Sequence, residues 1–249
     1  MNTTRAIVWI LFSLALFGAR AEEQVHEWAY TGEHGPQHWA DVKADFAACG
    51  TGKAQSPIDI HGATSGTPAP IKFDYHAVPL HIIDNGHTVQ VTYAPGSSIT
   101  VGGKRYELAQ FHFHHPSEER IDGKGYPMVA HLVHKSGDGA LAVVAVLLRQ
   151  GAQNPLIATL WKNLPTEKEK EMAPEKVTIN AARLLPASRA YYGFAGSLTT
   201  PPCSEGVTWL VLATPVELSA SQISRFVKIY SSNARPLQAL NGRAITLHK

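Results

Sequence analysis

The chain has 249 residues, 44% of them hydrophobic and 17% charged, which excludes a disordered, collagen-like or coiled-coil protein. Lysine and arginine number 22 against 20 acidic residues, and the two arginines within the first 21 residues account for the whole excess. Because the remainder carries no net charge, we expect no nucleic-acid partner and no bulk attraction to anionic lipid.

The first 21 residues, Met1–Ala21, have the pattern of a secretory signal peptide. Arg5 provides a positive start, Ala6–Phe17 is an apolar run, and Ala19–Ala21 places small residues at the cleavage positions. A membrane anchor is the alternative, but a run of about 12 residues is too short for a bilayer that requires about 20. We therefore expect cleavage after Ala21, export to the periplasm or out of the cell, and a single domain over residues 22–249.

Export to an oxidising compartment would allow the two cysteines to form a disulfide. Cys49 and Cys203 allow one intramolecular disulfide, which an oxidising compartment permits. Closing so long a loop stabilises a fold by about 4–5 kcal/mol in the chain-entropy model. Two buried free thiols are the alternative interpretation.

The rest of the chain is punctuated by glycine, proline, asparagine and aspartate, as in proteins built from short strands. The predicted strands, in chain order, are Leu80–Ile83, His87–Tyr93, Lys104–His114, Met128–His134, Leu141–Leu148 and Val207–Leu212. Asp84–Gly86 is a strong signal for a hairpin turn between the first two, and Pro116–Pro127 is predicted to be a polar loop.

Helices are few and short. Asn154 can cap one helix, with Pro155 in its first turn, and Ser219 with Gln222 resembles a capping box for another. The pattern predicts a mainly β (α+β) fold in one domain, with small helices outside the strands.

Thirteen histidines against two cysteines direct attention to imidazole chemistry, and the informative segment is Gln110–His114. Side chains alternate along a strand, so His112 and His114 face one way and the two intervening phenylalanines the other. An antiparallel neighbour can bring His131 opposite this pair. Three histidines with no thiolate or carboxylate suit a zinc ion with an open fourth position. Taken alone, the first pair is explained equally well as two surface histidines.

Two further histidines are predicted to lie outside this group. His134 is on the opposite strand face from His131, so we expect it to be buried and hydrogen-bonded, and we interpret His115 as a loop residue. Val133 shares the face of His131 and gives that side an apolar surface.

A series of short motifs extends over nearly the whole chain after the signal peptide. They are Trp28–Tyr30, Gly35–Trp39, Gln55–Ile60, Asn85–His87, Gln110–His114, His131–His134, Ser197–Cys203 and Val207–Trp209. In this order and spacing they resemble the α-class carbonic anhydrases, in particular exported bacterial members. The resemblance implies a mixed, largely antiparallel twisted sheet of about ten strands, a conical cavity leading to zinc, and reversible hydration of carbon dioxide to bicarbonate and a proton.

The resemblance also implies residue roles. His112, His114 and His131 match the ligands of a zinc ion whose hydroxide attacks carbon dioxide, and His87 matches the proton shuttle. Thr199 matches the residue that hydrogen-bonds this hydroxide. Glu118 matches the acid that orients the threonine, with Glu119 next in line because the loop Pro116–Pro127 that contains them is shorter than in many animal members.

The remaining implied positions surround the substrate and the ligands. The substrate-side residues are Thr199, Thr200, Val133, Val143, Leu198, Val207 and Trp209. Gln110 lies on the ligand face of its strand and is assigned to support the ligands. Cys49 and Cys203 match the disulfide of exported members.

One position departs from the family pattern. Two residues before His131 the family commonly carries a glutamate that accepts a hydrogen bond from this ligand's other nitrogen, and here the residue is Val129. Losing such a partner typically costs 10–100-fold in metal affinity or activity. We expect a backbone carbonyl, a water or another side chain to orient His131, and zinc to leave faster than in members with the glutamate.

Two other functions compete with a carbon dioxide lyase. A non-catalytic binding module is the first, since the family includes members without the ligands, but this chain retains the three histidines, His87 and Thr199. A zinc hydrolase of another class is the second, and it lacks support because no H-E-x-x-H motif occurs. We expect a small-molecule substrate and no membrane span, and the sequence leaves a homodimer open.

Overall fold

The computed structural model describes residues 27–67 and 69–249, and the predicted signal peptide Met1–Ala21 lies outside them. The strands are β1 (Asp59–Ile60), β2 (Thr64–Ser65), β3 (Lys72–Asp74), β4 (Val78–Pro79), β5 (His81–Asp84), β6 (Val89–Thr92), β7 (Ser98–Val101), β8 (Lys104–His114), β9 (Arg120–Ile121), β10 (Met128–Lys135), β11 (Leu141–Gln150), β12 (Thr178–Ile179), β13 (Tyr191–Ser197), β14 (Glu205–Leu218) and β15 (Thr246–His248). The α-helices are α1 (Trp39–Val42), α2 (Ala48–Thr51), α3 (Pro155–Lys162) and α4 (Ala220–Val227), and 3₁₀ turns cover Gly32–His34, Ala44–Phe46 and Ala181–Leu184.

Eleven of the described strands form one mixed sheet, in the order β2-β15-β13-β14-β11-β10-β8-β6-β5, with β7 also pairing with β8 and β3 pairing with β7. Neighbouring strands run antiparallel except at β11–β14 and β15–β2, where they are parallel. The prediction of a largely antiparallel mixed sheet with few short helices is therefore confirmed, with eleven strands in place of about ten.

Strands in the middle of the sheet follow the apolar pattern closely. β8 has the predicted bounds, and β10 and β11 extend the predicted strands by one and two residues. β14 extends well beyond the predicted Val207–Leu212, because β13 pairs with it from Glu205 to Leu212 and β11 from Thr208 to Leu218. The hairpin between β5 and β6 forms as predicted, and Gly86 at its turn has a φ of 82°.

The predicted loop Pro116–Pro127 contains a strand that periodicity missed. β9 has two residues and pairs in parallel with β1. A strand this short carries too few side chains to show an alternating pattern, and its position depends on a partner far away in the sequence.

The hydrophobic core lies on both faces of the sheet because its central strands are covered on both sides. On β8, Phe111 and Phe113 pack into the larger cluster together with Leu156 of α3 and Phe226 of α4. On β11, alternate residues enter the larger cluster and a second, smaller cluster on the other face. The smaller cluster covers the face that carries the histidine ligands.

The helix caps form as the sequence predicts. The Asn154 side chain accepts hydrogen bonds from the backbone N–H groups of Leu156 and Ile157 at 3.0 and 3.1 Å. Ser219 and Gln222 make a reciprocal capping box at the start of α4. The Gln222 side chain also bonds both backbone groups of Asn154, which joins the two helix starts.

The Cys49–Cys203 disulfide is present, which confirms the pairing and excludes the two free thiols. It joins α2 to the loop after β13, where the Cys203 N–H donates to the carbonyl oxygen of Thr200 at 2.8 Å. The buried Arg235 guanidinium donates to the carbonyl oxygen of Cys49 and to Gln55 Oε1 at 2.9 and 2.8 Å. No helix among the described residues is long and apolar enough to cross a membrane.

Candidate metal centre

Three imidazoles converge on one face of the central sheet. His131 on β10 lies directly opposite His112 on β8 in the antiparallel register, and His114 shares the face of His112. One ring nitrogen from each of the three lies within 4.8 Å of the others. His114 and His131 are buried and His112 is partly exposed, so the group could hold a metal ion and remain accessible from one side.

On β8, the outer nitrogen of each ligand ring meets a hydrogen-bond acceptor. His112 Nδ1 lies 2.8 Å from Gln110 Oε1, and His114 Nδ1 lies 2.7 Å from the backbone oxygen of Asn233. These acceptors assign the ring proton to Nδ1, which leaves the lone pair of Nε2 directed into the group. The structure therefore places Gln110 where the sequence assigned it, whereas Asn233 was not predicted.

His131 is oriented by a carboxylate, although position 129 is valine. Its Nε2 lies 3.1 and 3.2 Å from the two carboxylate oxygens of Glu119, whose side chain is buried. The sequence left three possible partners for this ring nitrogen: a backbone carbonyl, a water or another side chain. The structure shows the third, the side chain of Glu119. The expectation of faster zinc loss therefore loses its physical basis.

Burial sets the charge of the ligand rings. It lowers the pKa of His112 to about 3 and lowers that of His114 well below its usual range, with His131 adding to both effects. Both rings are therefore neutral, which is the form that binds metal. Burial also lowers the pKa of His131, but the Glu119 carboxylate opposes it and the pKa is raised overall.

Glu118 lies beside this group, with its Oε2 3.6 Å from His114 Nε2 and 3.8 Å from His131 Nδ1. Burial raises the pKa of the Glu118 carboxyl to about 7, while His131 and the nearby Thr199 side chain oppose the rise. The backbone N–H of Arg235 donates to Glu118 Oε1 at 2.7 Å. The two neighbouring glutamates thus meet different atoms of His131: Glu118 lies near its Nδ1 and Glu119 near its Nε2.

A small cavity opens from the ligand rings toward the protein surface. It has a volume of about 130 Å³, and its lining includes His112, His114, Thr200 and His87. The His87 ring stacks on Trp28 with ring centroids 3.7 Å apart and planes 6° from parallel. The structure therefore brings His87 into the same cavity as two of the ligand rings.

The predicted apolar residues lie together on the ligand side of the sheet. They belong to the smaller hydrophobic cluster and are Val133, Val143, Leu198, Val207 and Trp209. The Trp209 ring lies 4.9 Å from the His131 ring, between centroids. Trp209 Nε1 donates to the carbonyl oxygen of Ser197 at 3.0 Å, so its polar atom is paired and an apolar surface remains beside the ligands.

The two histidines that were expected to stand apart do so. His115 Nδ1 lies 2.9 Å from the carbonyl oxygen of Ser231. His134 is fully buried on the other sheet face, with Nε2 2.8 Å from the Tyr75 hydroxyl oxygen. Burial lowers the pKa of His134 to about 4.

The chain is similar over most of its length to known proteins of one family. Residues 34–249 match the family model described as eukaryotic-type carbonic anhydrase. A carbonic anhydrase of Pectobacterium carotovorum is 47% identical over 231 residues, which cover 92% of this chain and 93% of that protein.

Solved structures agree with this similarity. A hyperthermostable carbonic anhydrase from an active hydrothermal vent chimney has a TM-score of 0.86 at 48% identity, covering 89% of this chain and 100% of the other. The α-carbonic anhydrase of Thermovibrio ammonificans, solved with the inhibitor sulfanilamide, has a TM-score of 0.85 at 41% identity, covering 88% of this chain and 98% of the other.

His134 provides a test of how burial affects stability. Because its pKa is lowered from 6.5 to about 4, the unfolded chain binds a proton in this range and the folded chain does not. The stability that depends on the neutral ring is thus complete above pH 6.5 and is lost as the pH falls toward 4, by about 3 kcal/mol in all. The free energy of unfolding, measured with urea on metal-free protein in chelator, should fall less steeply between pH 6.5 and pH 4 for His134→Gln than for wild type. The exposed His61→Gln control should follow wild type, and parallel curves for wild type and His134→Gln would contradict the assignment.

Proposed function

The chain belongs to the eukaryotic-type carbonic anhydrase family, as its motifs implied, and from this premise we propose that it hydrates carbon dioxide reversibly at a zinc ion held by His112, His114 and His131. The observation that carries the proposal is the convergence of three imidazole nitrogens within 4.8 Å. A non-catalytic module would not need three rings held in this way by separate acceptors.

The residues present fit a zinc ion. His114 Nε2 and Glu118 Oε2 are buried 3.6 Å apart, and neither has a hydrogen-bond partner among the described residues. This is a costly state for polar atoms, which a metal bound to His114 would relieve. Three imidazole nitrogens and one open direction form the donor set of a catalytic rather than a structural zinc site. When bound, zinc supplies Lewis-acid chemistry that makes water a nucleophile near neutral pH, for which carbonic anhydrases are themselves the standard example.

Thr199 and Glu118 orient the nucleophile in this proposal. A hydroxyl can donate one hydrogen bond and accept others, so Thr199 Oγ1 accepts from the nucleophilic oxygen when its own proton is directed to Glu118. Two observations support this direction: the Arg235 N–H donates to Glu118 Oε1, and Glu118 Oε2 has no hydrogen-bond partner among the described residues and can accept the proton. The nucleophile then presents a lone pair, and not its proton, to the carbon atom.

The apolar cluster beside His131 suits the substrate. Carbon dioxide has no net charge or dipole, and its carbon must approach the nucleophile without competition from ordered water. Val133, Val143, Leu198, Val207 and Trp209 provide a surface that offers water no hydrogen bonds. Thr200, which lines the cavity on the other side, supplies a polar group near the product oxygens.

His87 carries the proton away in this proposal. After bicarbonate leaves, a proton must pass from the site to solvent, and histidine is the side chain whose usual pKa lies closest to neutral pH. His87 lines the cavity that holds His112 and His114, and it is only partly buried. Its position in the hairpin turn, two residues before β6, places it between His112 and His114 and the surface.

We further propose that the protein is exported after removal of Met1–Ala21. The disulfide supports this, because such bonds persist in oxidising compartments. Expressed from its own start codon in a Gram-negative host, the chain should appear in the periplasmic fraction with an intact mass that begins at Glu22. Ala21→Leu should retain the full-length mass, since it removes the small residue required for cleavage. Full-length wild-type protein in the cytoplasm would contradict export.

Replacing a ligand tests the metal and the activity together. We expect His112→Ala to bind less than one-tenth of the zinc of wild type, measured by metal analysis, and to lose carbon dioxide hydration in stopped-flow assays, since a two-ligand site is incomplete. His61→Ala, an exposed histidine, is the matched control and should keep both. A wild-type protein that binds zinc but does not hydrate carbon dioxide would favour the non-catalytic module.

Replacing His87 tests the proton pathway. In dilute buffer, His87→Ala should lower kcat about 10-fold or more, in the range of general acid–base contributions, while kcat/KM for hydration changes little. Added imidazole should restore the rate, because a soluble base takes the place of the side chain. Turnover of His87→Ala equal to that of wild type and of His61→Ala in dilute buffer would exclude His87 as the shuttle.

A further inference from the structure

We propose that Glu119 is the positioning residue for His131 and that Glu119 and Val129 are a coupled pair, with the carboxylate delivered from a loop instead of from the ligand's own strand. This rests on the proposed function in that His131 is taken as a metal ligand. It assigns Glu119 a role distinct from Thr199 orientation, for which it was the second candidate.

The first argument is the contact itself. Both carboxylate oxygens of Glu119 lie within 3.2 Å of His131 Nε2, and the side chains of both residues are buried. Across residues 27–67 and 69–249, His131 is the one basic side chain with which Glu119 forms an ion pair. A fully buried carboxylate requires such a partner, so the two side chains hold each other in place.

The second argument is that the loop around Glu119 is fixed on both sides. The Ser117 hydroxyl donates to the Glu119 carbonyl oxygen at 2.9 Å and accepts from the Tyr126 N–H at 2.9 Å. On the other side, β9 begins at Arg120 and pairs with β1. The carboxylate is thus anchored by its backbone, as a residue that positions another must be.

The third argument concerns Val129. It lies two residues before His131 on the same face of β10, is fully buried, and packs in the smaller apolar cluster. A glutamate there would add a third buried carboxylate next to those of Glu118 and Glu119, with no additional cation to pair with it. A carboxylate can therefore serve His131 from position 119 or from position 129, but not from both.

The function of the contact is to set the tautomer and orientation of the ring. With the proton of Nε2 donated to Glu119, the lone pair lies on Nδ1. This nitrogen lies 3.8 Å from Glu118 Oε2, the atom that is 3.6 Å from His114 Nε2, and so faces the side of His114. Without the carboxylate, the ring can rotate or take the other tautomer, and a metal held through Nδ1 would dissociate more readily.

An exchange of the two residues tests this coupling. We would load wild type, Glu119→Val, Val129→Glu and the double variant Glu119→Val/Val129→Glu with zinc, and time its release to a chromogenic chelator. Glu119→Val should release zinc about 10–100-fold faster than wild type. Val129→Glu alone should not slow release, whereas the double variant should return to within about 3-fold of wild type. Glu175→Gln, an exposed carboxylate, is the matched control for the change in charge.

A spectroscopic measurement and a second variant distinguish a loss of ring positioning from a loss of folding. Cobalt-substituted protein should show altered visible absorption for Glu119→Val and a restored spectrum for the double variant, which a merely destabilised fold would not give. If Glu119→Val does not fold, Glu119→Gln replaces it and should show the same direction of change. Zinc release from Glu119→Val at the wild-type rate, or slower release from Val129→Glu alone, would overturn the proposal.

The proposal and the proposed function fail in different ways. Wild type that takes up no zinc would contradict the metal site but leave the contact to be measured in metal-free protein. There, nitrogen NMR should place the His131 proton on Nε2 in wild type and in the double variant but not in Glu119→Val, and unfolding free energies of the four proteins should be non-additive. Additive free energies together with an unchanged tautomer would refute the coupling whether or not zinc binds.

Discussion

The pairing register between β8 and β10 is the constraint on which the candidate centre depends. Because side chains alternate along a strand, a slip of β8 by one residue would move His112 and His114 to the sheet face opposite His131. Phe111 and Phe113 prevent such a slip, since they fill the larger hydrophobic cluster while His112 and His114 point away from it. The larger hydrophobic cluster thus fixes the positions of polar side chains on the opposite face of the sheet.

The three ligand rings are oriented by acceptors of three different origins. Gln110 is two residues from His112 on the same strand, Glu119 comes from the loop that joins β8 to β10, and the Asn233 carbonyl belongs to a segment 119 residues from His114. Each acceptor directs a lone pair inward, and the burial of the group keeps His112 and His114 neutral. The convergence of the rings therefore depends on local pairing, on a loop and on the closure of the whole chain.

Much of the fold and the ligand set could be predicted because the signals are local. The period of two along β8 placed Gln110, His112 and His114 on one face, and the caps at Asn154 and Ser219 marked two helix starts. The supporting residues were harder to predict. Asn233 acts through its backbone oxygen, which carries no sequence signal, and Glu119 follows Glu118 so closely that only the course of the loop decides which of them meets His131. The two-residue strand β9 is likewise determined by its partner β1 and not by its own pattern.

The residues that orient the candidate centre lie far along the chain from the residues that form it, because Asn233 and Arg235 follow β14. The ligands themselves lie within one stretch from β8 to β10, so bringing them together closes only short loops, whose entropic cost is small. The carbonyl that holds His114 and the N–H group that binds Glu118 both come from near the carboxyl terminus. A fragment ending after β14 would contain every proposed metal ligand but lack the groups that orient His114 and Glu118, so the stretch that supplies the ligands is shorter than the one that orients them.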